Sequence, residues 1–351
     1  MPKRERDIIG GVDTHTATHH AALIDLNARL LADAQFPATP AGYAAMLGWM
    51  RRRGRIDKVG VEGTGAYGTG LARYLHEQGV NVLEVPRPDR RLRRQRGKSD
   101  PIDAEAAART ALTGKNSGPP KLATGPIEAI RMIRVARVGA MKARTAAINT
   151  LKAMVITAPE PLRTKLRDLS RWKLITACRQ LKPDSDDLTD PVNAAKLALS
   201  SIAVRAHALE QEARVLHKQL QALTDTIAPA TSALFALGPE TVSALLVAVG
   251  DNPDRLRSEA AFARLCAVAP IPASSGKTNR HRLHRGGDRA ANQALHTAVV
   301  VRLRYHHSAR AYAARRKAQG LSMPEIIRCQ KRYLAREVFT ALRADFTRLS
   351  T

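Results

Sequence analysis

The chain has 351 residues and a formal net charge of +26, with 44% hydrophobic residues. That length and composition allow two or three domains with cores of their own and argue against a wholly disordered chain. No run of about 18 apolar residues occurs, so no membrane span is predicted, and the basic N-terminus lacks the apolar core of a secretory signal. Such an excess of positive charge repels itself in a compact fold, which predicts a polyanionic partner.

The composition favours nucleic acid as that partner, because each phosphate neutralised by Lys or Arg releases bound counterions. Aromatic residues make up only 4% of the chain, so contacts to phosphates are expected more than stacking on bases. An anionic membrane surface is the weaker alternative, since the cations do not gather on one amphipathic helix. Cys178, Cys266 and Cys329 are isolated, which suits a reducing compartment and predicts small buried apolar residues.

The first hundred or so residues carry alternating strand and helix signals. Strands are predicted at IIGGVD, HHAALIDL, ARLLADAQF, KVGVEG and NVLEVP. Helices are predicted over 41–53, near 67–78 and from 101 to about 113. Three strands followed by alternating helix and strand predict a mixed sheet flanked by helices.

Beyond residue 121 the signals are helical. A long helix is predicted over 126–157, before the breakers Pro159 and Pro161, and a polar loop over 182–191. Apolar residues then recur in alternating steps of four and three, at Ile202, Ala206, Leu209, Ala213, Leu216, Leu220, Leu223 and Ile227. This is the spacing of a coiled-coil seam, which could pack within the chain but is interpreted here as joining protomers.

The last third is predicted to be helical with a basic tail. Gly238 and Pro239 open a short apolar helix, Gly250 closes it, and Ser258 caps the next one. Two short helices with glycine-marked turns resemble modules that present N–H groups to phosphates, although ordinary helix packing explains them equally well.

Four acids stand where buried strands end or a helix begins. Asp13 and Glu62 each end an apolar strand, where an acid is costly to bury unless it is paired or metal-bound. Asp100 and Asp103 lie one helical turn apart. Taken alone, these two have an ordinary explanation, with Asp100 as N-cap before Pro101 and Asp103 complementing the helix dipole.

The four acids could nevertheless meet, because ligands gather beyond the carboxyl ends of strands in sheets with helix crossovers. Clustered carboxylates repel one another, so Mg²⁺ or Mn²⁺ would neutralise them, and two such ions can hold both reacting oxygens of a phosphodiester. The alternative is a fortuitous set of caps and surface acids. His15, His19 and His20 follow Asp13 but would suit zinc or iron better, so they are predicted to be strand or turn residues.

Two basic stretches are candidates for nucleic-acid contact. A solvated charged face is the ordinary explanation of such runs, but the first adjoins the proposed metal edge. In the second, Ser274 and Ser275 precede a glycine, and a serine among cations could attack a phosphodiester, although most such serines are turn residues. The candidate cations are Arg87, Arg90, Arg91, Arg93, Arg94, Arg96 and Lys98 in the first stretch, and Lys277, Arg280, Arg282 and Arg285 in the second.

The combination resembles the DEDD transposases of bacterial insertion sequences, which are bridge-RNA-guided recombinases. The resemblance rests on GVDTH, VGVEGTGAYG, KSDPIDAEAAAR, LGPETVSALLVAVGD and APIPASSGK, and it covers nearly the whole chain. It implies a RuvC-like domain of the RNase H fold over 1–125, a helical coiled-coil region over 126–229, and a mostly helical transposase domain over 230–351 that carries the catalytic serine.

The resemblance also implies roles for residues and partners. The metal ligands would be Asp13, Glu62, Asp100 and Asp103. The serine matches Ser275, and the adjacent Ser274 leaves that choice open by one position. DNA would be cleaved and exchanged through a covalent serine–DNA intermediate, with Mg²⁺ or Mn²⁺, a guide RNA, donor and target DNA, and a tetramer that unites acids and serine from different protomers. A bacterial cytoplasmic, nucleoid-associated location follows.

Two other functions fit the same residues. A metal-dependent, structure-specific nuclease resembling a junction resolvase would use activated water, leave hydrolysed ends and not need Ser275. A non-catalytic nucleic-acid scaffold would be indifferent to Asp13→Ala.

Overall fold

The computed structural model describes residues 6–86, 99–115, 117–251, 257–276 and 281–350. Contacts divide the chain into two units, one of Met1–Glu128 with Ala248–Leu265 and one of Ala129–Val247 with Cys266–Thr351. Among the described helices, none is long and apolar enough to cross a membrane. The division into three domains at residues 125 and 229 stays a prediction.

The first unit contains a five-stranded mixed sheet, as the sequence predicts. Its strands are β1 (Asp7–Thr14), β2 (Thr18–Asp25), β3 (Leu30–Pro37), β4 (Arg55–Glu62) and β5 (Val82–Val85). Their order in the sheet is β3-β2-β1-β4-β5. Strand β2 pairs antiparallel with both β1 and β3, whereas β4 pairs parallel with both β1 and β5. The parallel pair β1 and β4 therefore forms the centre, and both strands end at the same edge.

Most of the described chain outside this sheet is helical. In chain order the helices are α1 (Pro40–Arg51), α2 (Thr69–Glu77), α3 (Asp100–Thr113), α4 (Pro126–Thr157), α5 (Glu160–Leu166), α6 (Arg171–Arg179), α7 (Pro191–Ile227), α8 (Pro229–Ser232), α9 (Pro239–Val249), α10 (Glu259–Leu265), α11 (Arg289–Tyr305), α12 (His307–Ala318) and α13 (Met323–Ser350). Two short strands, β6 (Ile271–Pro272) and β7 (His281–Arg282), pair antiparallel. The predicted helices are confirmed, whereas α5, α6 and this strand pair were not predicted.

The two faces of the sheet are covered by different helices, because side chains alternate along a strand. Val12 and Val61 belong to the core that α1 and α2 complete. Ile9 faces the other way and packs with the alanines of α3, including Ala107 and Ala108. This second face also carries Asp13 and Glu62. Each lies two residues after a glycine of the same face, Gly11 on β1 and Gly60 on β4.

Helix α3 lies unusually close to the sheet because both surfaces are made of small residues. Gly11 and Gly60 are paired in register on β1 and β4. A Cβ on Gly11 would lie 2.1 Å from the backbone nitrogen of Ala108, and one on Gly60 would lie 2.7 Å from the carbonyl oxygen of Ala107. The helix backbone therefore rests directly on the two central strands, which fixes where its first turn lies.

The start of α3 differs by one residue from the sequence prediction. Ser99, not Asp100, is the N-cap, with an extended backbone at φ −151° and ψ 153°. The Asp103 N–H donates to the Ser99 carbonyl at 3.0 Å, so the first turn already includes Asp100. Pro101 lies in this first turn, where its missing N–H has no cost, and Gly114 ends the helix with a φ of +66°.

In the second unit, α4, α6 and α7 share one apolar core. Ile148 and Leu151 of α4 are buried with Leu199 and Ala203 of α7, and Cys178 of α6 completes the cluster. Burial raises the pKa of the Cys178 thiol to about 11, so it is a small apolar core residue, as predicted.

Half of the predicted heptad seam is buried within this unit. Ala206, Ala213, Leu220 and Ile227 are buried. The intervening members, Ile202, Leu209, Leu216 and Leu223, are only partly buried. Packing within the chain therefore accounts for one row of the seam, and the association of protomers through the other stays a prediction.

The predicted start and end of α9 and the predicted N-cap of α10 are confirmed. Helix α9 begins at Pro239, and Gly250 follows its end with a φ of +80°. The Ser258 hydroxyl accepts a hydrogen bond from the Ala261 N–H at 3.2 Å, which caps α10.

Helices α4 and α7 are also joined by a buried ion pair. Glu210 of α7 is only 8% exposed. It accepts hydrogen bonds from Arg144 of α4 and, at 2.9 Å, from the Nε of Arg214. Burial opposes the ionisation of Glu210, but the hydrogen bonds and charges of these two arginines outweigh it and lower its pKa.

This arrangement predicts a pH-dependent contribution to stability. Glu210→Gln should lower the free energy of unfolding at pH 7 by about 3 kcal/mol, because it leaves Arg144 buried without its counter-charge. Since the pKa is lowered on folding, the ion pair stabilises fully above the ordinary glutamate value of 4.5 and less as the pH falls through the folded pKa. Denaturant unfolding at pH 7, 5 and 4 measures this difference.

Glu212→Gln is the matched control, because Glu212 is exposed on the same helix. It should change stability by less than about 0.5 kcal/mol. A Glu210→Gln deficit that stays constant from pH 7 to pH 4 would contradict the assignment.

Candidate metal centre

The two strand acids lie at neighbouring positions on one edge of the sheet. Val12 pairs with Val61 in the parallel ladder, and Asp13 and Glu62 are the next residue on each strand. The Thr14 hydroxyl donates to the Glu62 carbonyl oxygen at 2.8 Å, which ties the two strand ends together. Asp13 is 6% exposed and Glu62 is 7% exposed. Both acids are therefore held where water solvates them poorly, as the sequence predicts for a ligand site.

Helix α3 brings its first turn to the same edge. Asp103 is 2% exposed, whereas Asp100 keeps about half of its side chain exposed, at 48%. His15 Nε2 lies 3.1 Å from Asp13 Oδ2 and 3.4 Å from Asp100 Oδ1. Asp13, on the first strand of the sheet, and Asp100, on a helix nearly ninety residues later, therefore share one imidazole.

The three side chains form a cluster with the dimensions of a metal site. Asp13, His15 and Asp100 each offer one ligand atom, and these atoms all lie within 4.8 Å of one another. Carboxylate oxygens suit magnesium or manganese, and the imidazole nitrogen widens the choice to zinc or iron. Asp13 is buried, whereas His15 and Asp100 are partly exposed, and a buried carboxylate is costly without a counter-charge, so the donor set fits a divalent cation.

His15 is the functional candidate that the sequence prediction missed. It was interpreted as an ordinary strand or turn residue, but it follows the last residue of β1 and contacts two of the four acids. The signal was present in the spacing, since residues i and i+2 at the end of a strand point to the same side. The Asp13 and His15 pair could therefore have been read as one group.

The other two histidines are strand residues, as predicted. His19 is fully buried on β2 and stacks on Tyr43, with ring centroids 5.6 Å apart. Burial lowers its pKa, so it is held neutral beside the acidic edge. His20 instead contacts Asp33 of β3 at 2.7 Å.

The candidate serine belongs to the second unit. Ser274 and Ser275 are both exposed, and Gly276 follows with a φ of +55°, a conformation that glycine adopts without strain. Arg282 and Arg285 are exposed further along the same stretch. The remaining predicted phosphate contacts lie outside the described residues; they are Arg87, Arg90, Arg91, Arg93, Arg94, Arg96, Lys98, Lys277 and Arg280.

Comparison with known families places the chain among the transposases. A DEDD transposase model of the IS110 type matches residues 10–158, and a model of the transposase IS116/IS110/IS902 family matches residues 232–314. The chain belongs to the IS110 family of DEDD transposases. A search of curated proteins finds no match. The family assignment made from the motifs is thus confirmed, and it implies an enzyme that binds and transposes DNA.

The first match contains all four predicted acids and His15, and the second contains Ser275. The matched segments therefore cover the two chemical groups on which a mechanism would depend.

Proposed function

We propose that this transposase cuts and rejoins DNA under the guidance of a bridge RNA, through a covalent bond between Ser275 and DNA. The observation that carries the proposal is the cluster of Asp13, His15 and Asp100 at the end of the central strands, beside Glu62. The family match supports action on DNA. The guide RNA, the serine linkage and a RuvC-like domain of the RNase H fold come from the resemblance in the motifs.

Five side chains would hold the metal at this edge. Asp13, Glu62, Asp100 and Asp103 would act as carboxylate ligands, with His15 as an additional nitrogen ligand or as a hydrogen-bond partner of Asp13. When bound, Mg²⁺ or Mn²⁺ would neutralise these acids and polarise a phosphodiester oxygen and an attacking hydroxyl. The close packing of α3 on β1 and β4 keeps the carboxylates in place before DNA binds, so less reorganisation is needed during the reaction.

The serine step is a transesterification. The Ser275 Oγ forms a bond to the scissile phosphorus, the bond to one deoxyribose oxygen breaks, and the serine proton leaves with that oxygen. The phosphoserine ester keeps the energy of the original phosphodiester, so a deoxyribose hydroxyl from another strand can reverse the step without ATP. Arg282 and Arg285 would stabilise the additional negative charge on the phosphate in the transition state.

The resemblance in the motifs implies a site composed from one protomer's acids and another protomer's serine. A tetramer would supply two such sites for donor and target DNA. The cytoplasm of a bacterium, in contact with the nucleoid, is the location this activity requires.

Trapping the intermediate tests the proposal. Labelled donor and target DNA, incubated with the protein and RNA transcribed from the flanking element, should yield a protein–DNA adduct that resists denaturation. Ser275→Ala should remove the adduct completely, because no other hydroxyl would occupy the position of attack. Ser274→Ala is the control and should retain the adduct within about threefold of the parent.

The rival nuclease gives a different pattern. It leaves hydrolysed ends, forms no adduct and is insensitive to Ser275→Ala, because activated water is its nucleophile. An adduct that persists in Ser275→Ala and disappears in Ser274→Ala would move the role by one residue.

A further inference from the structure

A cation-lined cleft lies between α4 and α7 in the second unit. It encloses about 490 Å³. Arg137 and Arg144 line it from α4, and Arg214, His217 and Lys218 line it from α7. The two arginine side chains from α4 are each only 14% exposed. The cleft is thus a partly enclosed, positively charged site in the helical second unit, formed without the stretch that carries the candidate serine.

The positive charge in this cleft exceeds the negative charge. Four cations line it, and two acids contact them. Glu210 holds Arg144 and Arg214, and Glu240 pairs with Arg137 at 2.5 Å. One carboxylate shared by two arginines neutralises only part of their charge, so the cleft keeps a favourable potential for an anion.

The arginines are also held in place and incompletely bonded. The Nε atoms of Arg137 and Arg144 are buried and make no hydrogen bond, and neither does the buried Nδ1 of His217. Buried polar groups with unmet hydrogen bonds are costly unless a ligand or water supplies hydrogen-bond partners there. Because Glu210 and Glu240 already fix the guanidiniums, an incoming anion would lose little affinity to ordering these side chains.

We propose that this cleft binds the phosphodiester backbone of a nucleic acid. Arg137 and Arg144 are seven residues apart, or about 10 Å along the helix axis, and Arg214 and Lys218 are about 6 Å apart. Cations spread over that length suit a run of phosphates better than one small anion, and arginine matches phosphate oxygens with paired hydrogen bonds. The choice of nucleic acid as the polyanion rests on the proposed function, since the family acts on DNA. The charge and geometry of the cleft are observed independently of that function.

The salt dependence of binding tests this site in the full-length chain. Arg137→Gln with Lys218→Gln should lower the slope of log affinity against log salt by about 1.8 on duplex DNA, because two phosphate contacts are lost. The matched control is Lys152→Gln with Arg205→Gln, which removes the same charge from exposed positions on the same two helices outside the cleft. The control should leave the slope within about 0.3 of the parent.

Duplex DNA and RNA of equal length form the two arms of the experiment. A slope change in either arm, absent from the control, supports the site and identifies which nucleic acid it holds. Equal slope changes in the cleft and control variants would overturn the proposal. So would a loss of affinity in the cleft variants that is confined to poly-glutamate, a polyanion without phosphates. Lys218→Gln alone, with a slope change of about 0.9, covers the case in which loss of the Arg137–Glu240 pair unfolds the protein.

All measurements are repeated in an Asp13→Asn background, in which no DNA is cleaved if the metal site is correct. In this background, the difference in slope between a cleft variant and its parent reports on the cleft without any contribution from cleavage. The cleft proposal can therefore fail while the metal-site proposal holds, and the reverse.

Discussion

Asp13→Asn should lower the rate of DNA cleavage and joining by about a hundred- to a thousandfold, the loss typical when one group that stabilises the transition state is removed. Asp13 is the buried member of the cluster, and it contacts His15 at 3.1 Å. The amide has nearly the same shape as the carboxylate, so the change removes charge and metal affinity while preserving the packing. Single-turnover cleavage of labelled DNA measures the effect.

Asp33→Asn is the matched control for that experiment. Asp33 lies on β3, two strands from β1, and contacts His20; it is not a member of the cluster. Its replacement should change the cleavage rate by less than about threefold. Calorimetric titration with Mn²⁺ gives a readout independent of activity, and heat of binding should disappear in Asp13→Asn but not in Asp33→Asn. Full cleavage activity in Asp13→Asn would remove the acids from the mechanism.

His15→Ala separates the two roles that this histidine can have at the same edge. If the imidazole is a ligand, the variant should bind Mn²⁺ at least about 10- to 100-fold more weakly, because loss of a group that only supports a ligand already costs that much. If it only orients Asp13, His15→Gln should restore most of the affinity, because the amide can still donate a hydrogen bond.

Gly11→Ala should destabilise the first unit by more than about 3 kcal/mol, at or beyond the upper end of ordinary overpacking. The added Cβ would meet backbone atoms of α3, 2.1 Å from the Ala108 nitrogen and 2.2 Å from the Ala104 carbonyl oxygen. Backbone atoms cannot rotate away as a side chain would, so the helix must move. Because α3 carries Asp100 and Asp103, its movement should also abolish metal binding.

Gly65→Ala provides the control for this substitution. A Cβ on Gly65 would meet nothing within 4 Å. Its free energy of unfolding should stay within about 1 kcal/mol of the parent, as measured by denaturant unfolding. A stable Gly11→Ala protein that still binds Mn²⁺ would show that the contact between helix and sheet does not position the acids.

The glycine pair explains why the acids converge. Gly11 and Gly60 stand opposite one another, and the helix above them presents alanines. With side chains of ordinary size at these positions, the helix axis would stand further from the sheet. Asp100 would then lose its contact with His15, which is only 3.4 Å. The small residues that precede Asp13 and Glu62 on their strands thus set the distance between the strand acids and α3.

The order of the secondary-structure elements could be predicted from the sequence alone, and so could the choice of four candidate acids, whose role as metal ligands stays a prediction. Strand and helix periodicities are local, so the mixed sheet, the long helix ending at Thr157 and the helix started by Pro239 could be read directly. Asp13 and Glu62 could be singled out because an acid at the end of an apolar strand stands out against its neighbours. The same local patterns, compared as a set, carried the family assignment.

Contacts between distant segments follow from the tertiary packing and not from any local pattern. His15 contacts Asp100 because the first turn of α3 lies against the end of β1. These segments are about 85 residues apart, so no local spacing encodes their contact. Ala206 of the heptad seam is buried in the core that α4, α6 and α7 share, a contact that the spacing of the seam does not encode. The cationic cleft arose in the same way, since its arginines come from two helices and Glu210 holds one from each. Long-range packing chooses the partners, whereas the sequence pattern fixes only what each segment can offer.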